Sequence, residues 1–121
     1  MLKEFDFFYV DIFNLSSNYV APVNLNAFIN NIQVTFEVDT GAGMSCLPFN
    51  VYQQFFPEVE LGPSNIIIKV YHGPVVTPKG QINVDFTVNK TTKRCTFLIV
   101  EGATKCLIGR DIWKQFSVDF K

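Results

Sequence analysis

The sequence predicts an all-β, single-domain chain with one short helix near its C-terminal end, and three observations predict it. Apolar and polar residues alternate over paired runs, short Asn-bearing segments separate the runs, and helical spacing of apolar residues is convincing only at Ile112, Trp113 and Phe116. At 121 residues, 48% apolar and 17% charged, the chain has one domain's worth of core and is not composed like a disordered segment. Its aromatic residues are 13 Phe against 4 Tyr and 1 Trp, a balance that suits packed sheets.

The elements follow in order. Val23 to Ile29 alternates, Asn30-Asn31 supplies a turn tolerant of positive φ, and Ile32 to Val38 alternates again, which predicts a β-hairpin. Pro48 to Phe56 predicts a short helical turn stopped by Pro57. Ile66 to Val70 is strongly strand-forming, Tyr71-His72-Gly73-Pro74 breaks it, and Val75-Val76 returns antiparallel. Gln81 to Val88 and Thr96 to Val100 predict a second long hairpin around residues 89–92. The apolar end Leu107-Ile108 turns at Gly109 into the final helix, for which Trp113 is the expected core anchor. A faint echo relates Asp39-Thr40-Gly41-Ala42 with Cys46-Leu47 to Glu101-Gly102-Ala103-Thr104 with Cys106-Leu107, and two such halves suggest a pseudo-twofold β architecture.

Composition also excludes function classes. A formal charge of -1 and no Lys/Arg block argue against nucleic acid as a partner. No run of 18 apolar residues exists, so no membrane span is expected, and the acids near Met1 do not fit a signal peptide. Three cysteines and one histidine without ligand spacing predict no metal and no cofactor. Free, inert thiols point to a reducing, cytoplasmic location.

The chemistry concentrates at Asp39-Thr40-Gly41. A carboxylate delivered at the end of a buried strand and followed at once by a tight turn is costly without a partner or a task. The plain alternative is an Asx-turn closing the strand.

The run Phe36-Glu37-Val38-Asp39-Thr40-Gly41-Ala42, followed after a flap-like hairpin by Leu107-Ile108-Gly109-Arg110-Asp111, resembles the paired signature of retropepsin-like aspartic proteases of retroviruses and LTR retrotransposons. The resemblance covers residues 21–121 and leaves residues 1–20 as an N-terminal extension or extra strand. It implies a closed acid-protease β-barrel with a flap hairpin and one C-terminal helix. It also implies that Asp39 is the catalytic carboxylate, with Thr40 gripping the facing loop and Gly41 letting substrate backbone approach. Ser45, Gly109, Arg110 and Asp111 are implied as support of the site. Ala42, Gly43, Tyr71, His72, Gly73, Val75, Val76, Leu107 and Ile108 are implied as substrate contacts. Gly43 departs from the family pattern, which commonly has an acid or a hydroxyl residue there, so Arg110 needs another partner.

Two facing Asp carboxylates share one proton, so one activates water while the other polarises the scissile carbonyl, and mildly acidic conditions are expected to favour activity. No second Asp-Thr/Ser-Gly exists and the chain is too short for two lobes. The expected enzyme is therefore a homodimer, each copy giving one Asp39 at a twofold axis. Its expected role is cleavage of a retroelement polyprotein, bound as an extended polypeptide at apolar side chains, in the cytoplasm or within virus-like particles. Two alternatives stand beside it: a domesticated cellular protease of the same fold with a host substrate, and a catalytically silent dimerisation or peptide-binding module.

Plainer roles are open for several of these residues. His72 reads as an exposed turn histidine, Tyr71 as a half-buried strand end, and Ala42, Val75, Val76, Leu107 and Ile108 as ordinary core.

Overall fold

The computed structural model describes residues 3–7, 23–70 and 73–116. The β-strands are β1 (Lys3–Phe7), β2 (Val23–Ile29), β3 (Ile32–Val38), β4 (Cys46–Pro48), β5 (Ile66–Val70), β6 (Val75–Val76), β7 (Gly80–Val88), β8 (Thr91–Val100) and β9 (Leu107–Ile108). Two helices are described, α1 (Phe49–Phe55) and α2 (Arg110–Phe116). Six strands close into a barrel in the order β2-β3-β9-β4-β8-β7, and β1-β5-β6 form a separate sheet. Tyr71, His72 and the tail 117–121 lie outside the described residues, as do residues 8–22.

The β2–β3 hairpin forms as its sequence dictates. Asn30 and Asn31 take φ of 47° and 72°, a left-handed conformation that Asn tolerates at small cost. The Asn30 N–H donates to the Asp85 carbonyl (3.0 Å), and its side-chain oxygen accepts the Asp85 N–H (3.0 Å). One turn thereby ties two hairpins together. In the second hairpin Val88 pairs with Thr91, so Asn89-Lys90 alone makes the turn and β8 begins at Thr91 rather than Thr96. Asn89, at φ 55°, again supplies the positive φ.

Alternation sets the core. On β7 the inward side chains Ile82, Val84, Phe86 and Val88 are buried, as are Val34 and Phe36 on β3. Phe86 lies at the centre of the Phe-rich composition. Its ring meets Phe36 (5.4 Å), Phe97 (5.5 Å) and Phe116 (5.5 Å) at steep interplanar angles, a favoured aromatic geometry. Burying each such ring stabilises by about 1.5–3 kcal/mol. Helix α2 packs onto the barrel core through Ile112 and Phe116, whereas Trp113 is only half-buried. The expected anchor is thus displaced to its neighbours. Helix α1 stops where expected: the Phe56 N–H closes on the Tyr52 carbonyl (2.9 Å) just before Pro57.

The pseudo-twofold relation is visible in the pairing. β9 lies parallel to β3 (Glu37↔Leu107, Val38↔Ile108), β4 lies parallel to β8 (Cys46↔Leu98), and β4 meets β9 antiparallel at Cys46↔Leu107. The loops leaving β3 and β8 each carry the chain across to the other's partner strand. β5 and β6 pair antiparallel (Ile68↔Val76), and β1 runs parallel along the other edge of β5 (Lys3↔Ile66). A second buried cluster of Ala42, Cys46, Ile66, Ile68, Leu98, Val100, Ala103 and Leu107 ties this small sheet to the barrel and to the loop after β3.

Candidate active site

Strand β3 extends its ladder one step beyond its last residue. The N–H groups of Glu37 and Asp39 donate to the carbonyls of Cys106 and Ile108, both at 2.9 Å. Asp39 is therefore held as a strand residue at the point where the chain turns. The Ala42 N–H closes that turn on the Asp39 carbonyl (3.1 Å). The Gly41 N–H donates to Asp39 Oδ1 (2.8 Å), an Asx-type contact, while Oδ2 is buried with no hydrogen-bond partner among the described residues. A carboxylate oxygen in that state costs free energy until a donor meets it.

The segment 108–111 clamps the loop from beneath. Ser45 has no exposed surface, and its hydroxyl accepts the Gly109 N–H (2.9 Å) while donating to Asp111 Oδ1 (2.7 Å). The Arg110 N–H donates to the Ala42 carbonyl (2.8 Å). A Cβ on Gly109 would stand 2.8 Å from the Ala42 oxygen and 2.8 Å from the Met44 carbonyl carbon, so only glycine admits this approach. Burial pushes the Asp111 carboxyl above its ordinary value, and the hydrogen bonds from Ser45 and nearby backbone pull it partly back.

Arg110 finds its partner within its own chain. One guanidinium nitrogen donates to the Thr40 carbonyl (3.1 Å) and to the Gly41 carbonyl (3.0 Å). With Gly43 supplying no acid, the cation binds the backbone of the turn itself.

The expected substrate contacts divide. Ala42 and Leu107 are buried in the cluster beneath the β5–β6 sheet, with Val76 packed against it. Val75 is exposed and Gly73 lies at the exposed hairpin bend. Gly43 is buried within the loop. Ile108 has no exposed surface and belongs to the barrel core with Ile112 and Phe116. Tyr71 and His72, the other expected contacts, fall outside the described residues.

One neighbour of Asp39 escaped the motif. Lys105 Nζ contacts both carboxylate oxygens of Glu37 at 3.2 and 3.1 Å, and Glu37 is two positions before Asp39. The signal available was the period-2 alternation that puts both acids on one face of the strand.

A family model for the retroviral aspartyl protease matches residues 21–121. Among solved structures, EIAV protease complexed with the inhibitor HBY-793 is similar at TM-score 0.59 and 18% identity, over 85% of this chain and 95% of that one. The retroviral protease-like domain of Ddi1 from Leishmania major is similar at TM-score 0.59 and 20% identity, over 82% and 80%. A retropepsin-like aspartic protease from Rickettsia conorii is similar at TM-score 0.53 and 20% identity, over 76% and 68%. No curated protein sequence matches the chain.

Proposed function

The chain belongs to the retroviral aspartyl protease family, and from that membership we propose that it is a homodimeric aspartic endopeptidase acting on extended polypeptides. Residues 21–121 form the protease unit, and residues 1–20 are an extension whose strand β1 lies along β5. The observation that carries this reading is Asp39 itself: one carboxylate oxygen is held by the Gly41 N–H, and the other is buried with no partner among the described residues. A second Asp39, brought up by a twofold axis, supplies what that oxygen lacks. Two carboxyl groups about 3 Å apart cannot both ionise cheaply, so they hold one proton between them.

The reaction follows from that shared proton. The ionised Asp39 removes a proton from a water molecule as the water oxygen attacks the scissile carbonyl carbon. The protonated Asp39 hydrogen-bonds the carbonyl oxygen and stabilises the negative charge that develops there. The tetrahedral diol then collapses, the C–N bond breaks, and the leaving nitrogen takes a proton from the carboxyl pair. The clamp from Gly109, Arg110 and Ser45 fixes the loop so that the carboxyl groups meet without reorganising. The β5–β6 hairpin has the place of a flap, where an extended peptide can add its backbone as a strand.

A retroelement polyprotein is the substrate this family membership favours. A cellular member with a host substrate would use the same chemistry, and the Leishmania and Rickettsia structures place this fold in cellular organisms.

Mixing provides the test. Asp39→Asn should abolish cleavage of a peptide library, and titrating it into the wild-type chain should poison activity through mixed dimers. Wild-type activity should fall faster than linearly on dilution. Full activity in Asp39→Asn would end the assignment, and a strictly monomeric active protein would end the shared-site model. A dimer without any cleavage would mark the silent module.

A further inference from the structure

The ion pair of Glu37 and Lys105 stands beside Asp39, in a site otherwise read as apolar. Val34 and Phe36 point into the barrel core and Val38 packs against it, so alternation sends Glu37 and Asp39 to the outer face together. Because Asp39 continues the ladder of β3, the two α-carbons are separated by about 6.5–7 Å of strand. A side chain flanking a scissile carbonyl held at Asp39 would thus have Glu37 within one side-chain length on the same face.

Burial sets this pair apart. The side chains of Lys105 and Glu37 are 24% and 12% exposed, against 42% and 69% for Lys79–Glu101 and 65% and 61% for Arg94–Asp85. Surface pairs contribute little, whereas removing two charges from water is expensive unless their hydrogen bonds are met. Covering this pair with an apolar side chain would strip its remaining solvent and return nothing. An ammonium group has three donors, and two contacts go to Glu37. With Lys105 the more exposed member, the wall offers an incoming peptide a hydrogen-bond donor.

We propose that Glu37 and Lys105 form the wall of the subsite flanking the scissile bond and select substrates with an acceptor side chain there, a carboxylate or a carboxamide. The inference rests on the reading of Asp39 as the reacting carboxylate in a homodimer, which places one such wall on each side of the bond. It replaces the expected preference for apolar side chains.

The test digests a proteome-derived peptide library with the full chain and reads every new terminus by mass spectrometry. Termini flanked by Glu, Gln, Asp or Asn should exceed those flanked by Leu or Phe by about ten-fold, the scale of one charge-assisted hydrogen bond. Exchanging the charges, Glu37→Lys with Lys105→Glu, keeps the pair and should turn the preference toward Lys and Arg. If circular dichroism shows the exchanged chain unfolded, Lys105→Met on the same library should lose the acceptor preference. Asp39-dependent cleavage at apolar residues, or an acceptor preference that survives these replacements, overturns the inference and leaves the protease reading standing. Absence of any Asp39-dependent cleavage overturns both.

Discussion

Ser45 and Asp111, 66 positions apart, are joined by a 2.7 Å hydrogen bond that fastens the Asp39 loop to helix α2. The same hydroxyl accepts the Gly109 N–H, so it serves as donor and acceptor at once inside the protein. Ser45→Ala would leave the buried Gly109 N–H and the half-buried Asp111 carboxylate each short of a partner. The expected loss is about 1–3 kcal/mol, read from urea denaturation at fixed protein concentration. An unchanged midpoint would mean that the hydroxyl adds nothing.

Asp111 titrates against stability. Burial raises its folded-state value above the ordinary 3.8, so the folded chain binds this proton more readily than the unfolded chain does. Its contribution is fully present below 3.8 and is lost as pH rises through the raised value. Asp111→Asn keeps an acceptor for Ser45 and removes the charge. The variant should be more stable than wild type at pH 7, with the difference closing as the pH approaches 3.8. A wild type more stable at pH 7 would reverse the sign.

Gly109→Ala tests the close packing under the loop. The added Cβ would meet backbone atoms of Ala42 and Met44 at 2.8 Å, and backbone cannot swing aside as a flexible side chain does. Overpacking of this kind costs about 1–3 kcal/mol. The displaced loop should also lower kcat more than it raises KM, since substrate would still bind between the walls. Retained kcat would show that the loop accommodates the methyl group.

The local parts of this fold were legible because local chemistry decides them. Asn30-Asn31 between two alternating runs specifies a hairpin, and Pro57 ends α1 whatever surrounds it. The Asp-Thr-Gly and Gly-Arg-Asp segments were legible as a pair. The contacts joining them were not: the partner of Arg110 is a pair of backbone carbonyls, which no residue type announces. The pair Glu37–Lys105 spans 68 positions, and β9 is a strand of only two residues inserted between β3 and β4. Such non-local pairings depend on closure of the barrel. Trp113 was the expected anchor among three apolar residues at helical spacing, but the helix turns Ile112 and Phe116 inward, and spacing alone does not choose among neighbours.

Arg110 holds the turn by two carbonyls from one nitrogen, so its removal should loosen the loop without emptying the core. Arg110→Met should lower kcat/KM by about ten-fold, the worth of a charge-assisted hydrogen bond at a partly solvated site. Amide exchange at Thr40 to Ala42 should quicken while the global unfolding midpoint moves little. Arg110→Lys should fail to restore activity, because a flexible point charge does not reproduce a planar guanidinium. Full rescue by Lys would reduce the role to charge alone.

The cysteines should be inert in the folded chain. Burial pushes Cys95 and Cys106 up to about 11 each and Cys46 further still. The thiolate is the reactive form, so at pH 8 only about one group in a thousand of the first two is competent to attack. Geometry also keeps Cys46 and Cys106 apart despite their neighbouring strands. Cys46 faces the cluster beneath the β5–β6 sheet, and Cys106 packs against the barrel core on the other side of the β4–β9 pairing. A disulfide-exchange reagent at pH 8 should therefore label the native protein slowly and all three thiols promptly in urea. Rapid labelling of a single native cysteine would locate a thiol reached by local opening, and Cys106, the least buried of them, is where it would be found.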